Sequence, residues 1–279
     1  MTPNRLLAFG CGYVATALAH SLAGRDVPST GTARTAGAAE ALARQGIDPV
    51  IWPGDPFAPP PGSAWLISVP PDEDGCPVCR SFGSNAEQAS WIGYLSTTGV
   101  YGDLDGGWAF EETPRNPLSR EAVNRARAED QWLAAGAQVF RLPGIYGPGR
   151  SQLDRVRQPG ARRIIKPGQV FSRAHRDDIA AALEASIARP DPGRIYNICD
   201  DEPAPADEVL AYAARLLGLD PPPAVAFEEA GLSPAAQRFY AECKRVSNAR
   251  AKAQLGWTPR FPTYREGLAA IRQAETAST

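Results

Sequence analysis

Leu6-Leu7-Ala8-Phe9-Gly10-Cys11-Gly12-Tyr13-Val14-Ala15 decides how this chain is read. Four apolar residues run into a G-x-G-x-x-A turn, and beyond it Val14, Leu18 and Leu22 recur every four residues until Gly24. That is a buried strand followed by an amphipathic helix with a glycine stop. In such a unit the first glycine makes the tight turn and the second lets backbone approach a pyrophosphate. The small third residue lets the helix pack closely on the strand. The helix N-terminus adds N–H donors and the positive end of its dipole. Gly10, Gly12, Tyr13, Val14 and Ala15 are therefore assigned to a dinucleotide; the plain alternative is two turn glycines.

Working outward, further short apolar runs occupy 28–33, 49–52, 65–69, 91–96 and 138–142, with a long helix expected over 119–135. This alternation predicts an α/β fold with a doubly wound parallel Rossmann sheet and a smaller C-terminal substrate lobe. The second half is less regular and is punctuated by Pro203, Pro205 and Pro221-Pro222-Pro223. A helix is expected over 207–217 and a strand over 195–198. Residues 1–142 are read as the dinucleotide-binding lobe and 143–279 as mainly the substrate lobe, with segments near 170–198 returning to the first. Ligands of open α/β sheets bind beyond the C-terminal ends of the strands. Ser68 and Val69 at the end of the fourth strand, and Pro143 and Gly144 after the sixth, are assigned to the cofactor.

An NAD site usually carries Asp or Glu about 20 residues beyond the glycine turn, on the ribose 2′-hydroxyl. Here that stretch reads Thr30-Gly31-Thr32-Ala33-Arg34-Thr35 and holds no acid. Arg34 suits a 2′-phosphate, which favours NADP(H) over NAD(H); its alternative is a solvated loop arginine.

Composition narrows the class. Hydrophobic residues make up 43% and charged residues 22%, as expected of a core-forming protein. A net charge of −2 speaks against nucleic acid or an anionic membrane as partner. No apolar run approaches the ~20 residues of a membrane span, and the start lacks a signal-peptide pattern. Five scattered cysteines do not form a disulfide framework, so a reducing cytoplasm is the expected compartment.

Ser96-Thr97-Thr98-Gly99-Val100-Tyr101-Gly102 resembles the S-[ST]-x-x-V-Y-G segment of the extended short-chain dehydrogenase/reductases, the NAD-dependent epimerase/dehydratase family. Arg141 to Gly149, reading RLPGIYGPG, is similar to that family's R-x-x-x-x-Y-G-P segment. Gly54-Asp55 resembles the acid that meets adenine, and His175-Arg176-Asp177-Asp178-Ile179 its H-V-x-D stretch. The matches fall in the family's order over most of the chain, and are closest to atypical members. The resemblance implies that Thr97 orients a substrate oxygen, that Asp55 meets the adenine, and that Tyr101 and Tyr146 lie near substrate. It also implies a Tyr-x-x-x-Lys pair, and here the chain departs. Placing Glu129 on the family's acid puts Arg125 in the lysine slot and Glu121 in the tyrosine slot. No tyrosine occurs between Tyr101 and Tyr146.

Two readings of this departure stand. Arg125 and Glu121 are a substitute catalytic pair, with Glu121 as acid/base, or they are an ordinary i,i+4 helix pair. The first leads to an NADP(H)-dependent oxidoreductase, epimerase or dehydratase acting on a small hydroxyl, carbonyl or nucleotide-sugar-like molecule. The second leads to a non-catalytic sensor of NADP(H) or a metabolite. Cys76-Pro77-Val78-Cys79 is read as two unlinked cysteines, since no second ligand pair accompanies it and no metal site is expected. His175 is read as structural. The stretch 80–90 is too poor in apolar residues for a paired-helix interface, which predicts a monomer or weak homodimer.

Overall fold

The apolar runs of the first half become strands because they are buried on both faces, an environment that a parallel sheet covered by helices provides. The computed structural model describes residues 3–54 and 57–277. The first elements are β1 (Leu6–Phe9), α1 (Tyr13–Ala23), β2 (Ser29–Ala33), α2 (Ala36–Ala43), β3 (Asp48–Ile51), β4 (Ala64–Ile67), α3 (Pro77–Phe82) and β5 (Trp91–Thr97). Then come β6 (Trp108–Ala109), α4 (Arg120–Ala134), β7 (Gln138–Leu142), β8 (Gly144–Tyr146), α5 (Gln152–Val156), β9 (Arg163–Ile165) and β10 (Arg173–His175). The remainder is α6 (Arg176–Ala188), β11 (Ile195–Asn197), α7 (Ala206–Leu216), β12 (Ala224–Ala226), α8 (Pro234–Phe239), β13 (Arg245–Val246) and α9 (Tyr264–Ala277).

Seven strands form one sheet in the order β11-β7-β5-β4-β1-β2-β3, every pairing parallel. Alternation along β1 sends Leu6 and Ala8 to one face and Leu7 and Phe9 to the other. Residues of α1, α2 and α6 cover the first face, and those of α3 and α4 the second. The sheet is therefore doubly wound, with its order reversing between β1 and β4, where such sheets open a ligand crevice. The return strand expected over 195–198 is β11, at the sheet's edge. A separate core of Leu153, Val209, Ala213, Tyr264, Leu268 and Ile271 unites α5, α7 and α9 beside Tyr146. The helices α2, α6 and α9 were not anticipated from periodicity. α6 is buried round much of its circumference, which blurs the amphipathic stripe.

Two buried polar clusters hold the parts in place. In the first, Glu129 of α4 is fully buried and takes a bidentate pair from Arg141 of β7, at 3.0 Å from Nε and 2.7 Å from Nη2. Ser96 Oγ of β5 donates to the same carboxylate at 2.5 Å, and Arg115 approaches it at 3.3 Å. In the second, the His175 side chain caps α6 by accepting from the Asp177 N–H at 3.2 Å. Asp178 then accepts from the N–H groups of Arg260 (2.6 Å) and Phe261 (3.1 Å), fastening the approach to α9. Burial holds His175 down at about 4, so it is neutral and structural at neutral pH. Asp200 is buried as well. That burial pushes its carboxyl up to about 8, against the opposing pull of Arg173.

Two outcomes follow. Glu129→Gln leaves the Arg141 charge buried without its partner and is expected to cost ~3–5 kcal/mol in urea unfolding. A cost below ~1 kcal/mol would show that the pair does not organise this region. For Asp200, the folded state holds its proton up to about 8, whereas the unfolded chain releases it near the ordinary 3.8. Stability contributed by the neutral form is complete below that lower value and is lost as pH rises through the folded one. Asp200→Asn should match the parent's melting temperature near the lower limit and exceed it increasingly toward the upper. Parallel melting curves across the window would contradict this.

Candidate active site

The site is built where strand ends meet helix starts. Gly10 has φ +77°, and a Cβ there would lie 3.1 Å from both the backbone nitrogen and a methyl of Val69. Only glycine lets the turn nest against the end of β4 in this way. Thr32 of β2 fixes the turn, its hydroxyl accepting from the Gly10 N–H at 2.8 Å and its carbonyl from the Cys11 N–H at 3.2 Å. Gly12 caps α1 with no side chain in the way. The first N–H groups of α1 have no intrahelical acceptor, and the helix starts just past the C-terminal end of β1, beside the reversal of strand order. A pyrophosphate fits this cradle. Val14 and Ala15 are buried and offer only backbone there. The Tyr13 side chain turns away: its hydroxyl donates to the Pro148 carbonyl at 2.9 Å, and Arg176 lies over its ring at 4.8 Å.

Arg34 follows the last residue of β2 and is exposed, with no hydrogen bond or ion pair among the described residues. Ser68 and Val69 follow β4, at the reversal of strand order. Asp55 lies outside the described residues.

At the end of β5, Thr97 Oγ1 accepts from the Gly99 N–H at 3.1 Å and so caps the turn that follows. Its own O–H remains free to donate. Thr97, Glu121, Pro143, Gly144 and Tyr146 line one cavity of about 770 Å³ between the sheet's C-terminal edge and the later segments. This lies within the range of small-molecule sites. Glu121 also lines a second recess of about 320 Å³ with Pro70, Pro71 and Arg125, so it stands where the two spaces meet. It sits in the first turn of α4, which Ser119 caps through the Ala122 N–H at 3.1 Å.

The helix pair allowed by the spacing does not form. The Arg125 guanidinium donates to the Leu95 carbonyl at 2.5 Å and lies 5.9 Å from the Tyr94 ring centroid. Glu121 has no hydrogen bond or ion pair among the described residues, leaving its carboxylate free. Tyr101 requires a larger correction. It is fully buried, its hydroxyl donates to Asn197 at 2.7 Å, and Arg141 lies over its ring at 4.8 Å. It belongs to the cluster around Glu129 and not to the cavity wall. Tyr146 reaches the cavity, but its hydroxyl is buried among the helices of the later core and makes no hydrogen bond. Burial and the nearby Asp200 push that phenol further up, away from proton transfer.

Sequence reasoning missed the cavity's charge. Arg150, Arg155, Arg162, Arg163, Arg173 and Arg238 line it. None of them has a carboxylate partner among the described residues, while the Lys244 ammonium is paired with Glu242. The clustering of Arg150, Arg155, Arg162 and Arg163 was visible in the chain, but Arg173 and Arg238 join it only through the fold. All five cysteines are free thiols, and burial pushes Cys79 up, away from a reactive thiolate. Among the described residues no group of three His, Cys, Asp or Glu is placed to hold a metal, and no helix is long and apolar enough to cross a membrane.

No family model matches the chain. A functionally unknown conserved protein from Silicibacter pomeroyi is 48% identical, superposes with a TM-score of 0.92, and is matched over 98% of this chain and 99% of its own. A putative NAD-dependent epimerase/dehydratase from Methylobacillus flagellatus is 25% identical with a TM-score of 0.65, over 98% of this chain and 99% of that one. Protein YeeZ of Escherichia coli K12 is 29% identical over 245 residues, 78% of this chain and 86% of YeeZ. A 3-diazoavenalumate denitrifying reductase from a Streptomyces species is 32% identical over 165 residues, about half of each (53% and 52%). With the glycine turn, the Thr97 segment and the Arg141–Gly149 segment in their places on a seven-stranded parallel sheet, the chain is a Rossmann-type α/β protein similar over nearly its whole length to a putative NAD-dependent epimerase/dehydratase.

Proposed function

We propose that this protein is an NADP(H)-dependent enzyme of the oxidoreductase, epimerase or dehydratase type, acting on a hydroxyl or carbonyl group of a small anionic molecule. The observation that carries the reading is the junction at Glu121, a free carboxylate shared by the substrate cavity and the recess beside Pro70 and Pro71. The N–H groups of Tyr13 and Val14 would hold the pyrophosphate of the dinucleotide, and Arg34 the 2′-phosphate. Bound there, a nicotinamide supplies or accepts a hydride.

The chain's own residues would then manage one proton. Thr97 donates its O–H to the substrate oxygen and keeps it oriented; it cannot supply a net proton at neutral pH. Glu121 takes the proton of a substrate hydroxyl as that oxygen becomes a carbonyl, and returns it in the reverse direction. Arg125, tied to Leu95 O, is well placed to present its remaining N–H groups to ribose or substrate, and it does not neutralise Glu121. An ordinary carboxyl group, with a pKa of ~4.3, is ionised at neutral pH and has little proton to give an alkoxide, whereas a phenol at ~10 keeps its own, so generic carbonyl substrates should be turned over poorly.

Calorimetric titration tests the cofactor reading: NADPH should bind ~10-fold or more tightly than NADH, and Arg34→Ala should remove most of the gap. Equal affinities in the parent would remove the basis for a 2′-phosphate contact. For the proton, Glu121→Gln should lower turnover ~10²–10⁴-fold with NADPH affinity unchanged, while Glu121→Asp should keep part of the rate. Turnover indifferent to Glu121→Gln would exclude the acid/base role. Tight NADPH binding without turnover on any hydroxyl or carbonyl compound would favour a sensor instead.

A further inference from the structure

The cavity holds two features that the proton chemistry does not use. One is an aromatic platform. Phe171 and Phe239 both line it and stack face to face, their ring centroids 4.5 Å apart and their planes within 9°. Tyr240 braces both rings edge-on, at 5.4 Å and 6.0 Å. Phe239 is nevertheless 56% exposed, an unusual state for a phenylalanine held in an ordered stack. One of its faces is covered by Phe171, and the other is left for a ligand.

The second feature is that the ionic wall around this platform is made of donors. Arginine offers five N–H donors and no acceptor. Arg150, Arg155, Arg162 and Arg238 line the cavity, exposed and free of any carboxylate among the described residues. Of the carboxylates lining it, Glu242 is engaged by Lys244, which leaves Glu121. A neutral sugar would find acceptors in Thr97, Thr98, Ser119, Gln152 and Ser172, but it would leave the guanidinium charges without an anion. A carboxylate brings acceptors alone. It accepts the planar guanidinium fork bidentately, the geometry for which arginine is better suited than lysine.

We infer that the substrate is a planar aromatic carboxylic acid: its ring lies on the open face of Phe239, and its carboxylate is held by the free arginines of the cavity. This rests on the reading of the cavity as the substrate site of the proposed enzyme. Ring and charge act together here. An aromatic pair contributes modestly beyond its buried area, whereas charge-assisted bonds to a guanidinium contribute more and fix direction. Arg238 is next to Phe239 at the end of α8, so one short helix supplies both part of the platform and one of the cations.

The test uses the full chain saturated with NADP+, titrated calorimetrically with trans-cinnamate, with cinnamyl alcohol, which keeps the ring and loses the charge, and with uridine diphosphate. Cinnamate should bind ~10-fold or more tightly than the alcohol. Phe239→Ala should weaken cinnamate ~3–10-fold, with Phe239→Tyr close to the parent, and should leave inorganic phosphate binding unchanged. Arg238→Gln should narrow the gap between acid and alcohol. Equal affinity for acid and alcohol would overturn the inference, as would indifference of cinnamate to Phe239→Ala. Uridine diphosphate binding more tightly than cinnamate would overturn it in favour of a nucleotide. NADPH affinity is measured in the same preparations. Failure of cinnamate with intact NADPH binding sinks this inference alone, whereas loss of NADPH binding in the parent sinks the proposed enzyme with it.

Discussion

The buried pair between Glu129 and Arg141 fixes everything that happens at the active-site edge of the sheet. It joins α4 to β7, and through Ser96 to β5, inside a space where neither charge meets water. Residues four apart share a helix face. Once Glu129 is anchored inward, Arg125 one turn earlier must lie against β5, where it meets the Leu95 carbonyl. Glu121, one turn earlier again, emerges at the edge of the cavity. The rotation of α4 and the address of its first-turn carboxylate are thus one constraint. A buried ion pair is a poor source of net stability, since desolvation opposes the attraction. Its value here is registration: a slipped α4 would leave Arg141 buried without a partner.

That registration decides which side chain stands at the cavity edge, where the resembled family carries its tyrosine. The slot is filled by a carboxylate whose expected cation is occupied elsewhere. Thr97 faces the same cavity with its donor free, because its oxygen accepts from the Gly99 N–H. Proton transfer needs a group that can change charge, a group that can orient the substrate oxygen, and a wall that holds the rest of the molecule. In the proposed reaction Glu121, Thr97 and the arginine-lined cavity would fill these roles in turn. The field of the arginine-lined wall favours an anionic occupant.

Much of the first half was legible because its signals are local. The glycine turn, the strands and α1 follow from apolar runs and periodicity, and Arg34 could be placed by counting from Gly10. The position of Glu121 on α4 was legible through Glu129, whose spacing gave the register of the helix. Side-chain direction was not. The i,i+4 spacing of Glu121 and Arg125 suggests a pair, yet the nearer Leu95 carbonyl wins the guanidinium. Tyr101 sits in a segment resembling a substrate-contacting one, but Asn197 and Arg141, distant in sequence, draw it inward. The arginine wall and the Phe171–Phe239 stack are assembled from segments far apart in the chain, and no window of sequence brings them together. α6 escaped notice because a helix buried on most sides has no polar stripe to reveal its period.

The account's central claim is that Glu121 stands where the proton is exchanged, and a crystal structure with NADPH and a bound aromatic acid tests it most directly. The account predicts pyrophosphate on the N–H groups of Tyr13 and Val14, with the Glu121 carboxylate and Thr97 Oγ1 each within ~3 Å of the substrate oxygen beside the nicotinamide. A nicotinamide seated there with Glu121 turned to solvent, and another side chain against that oxygen, would contradict it.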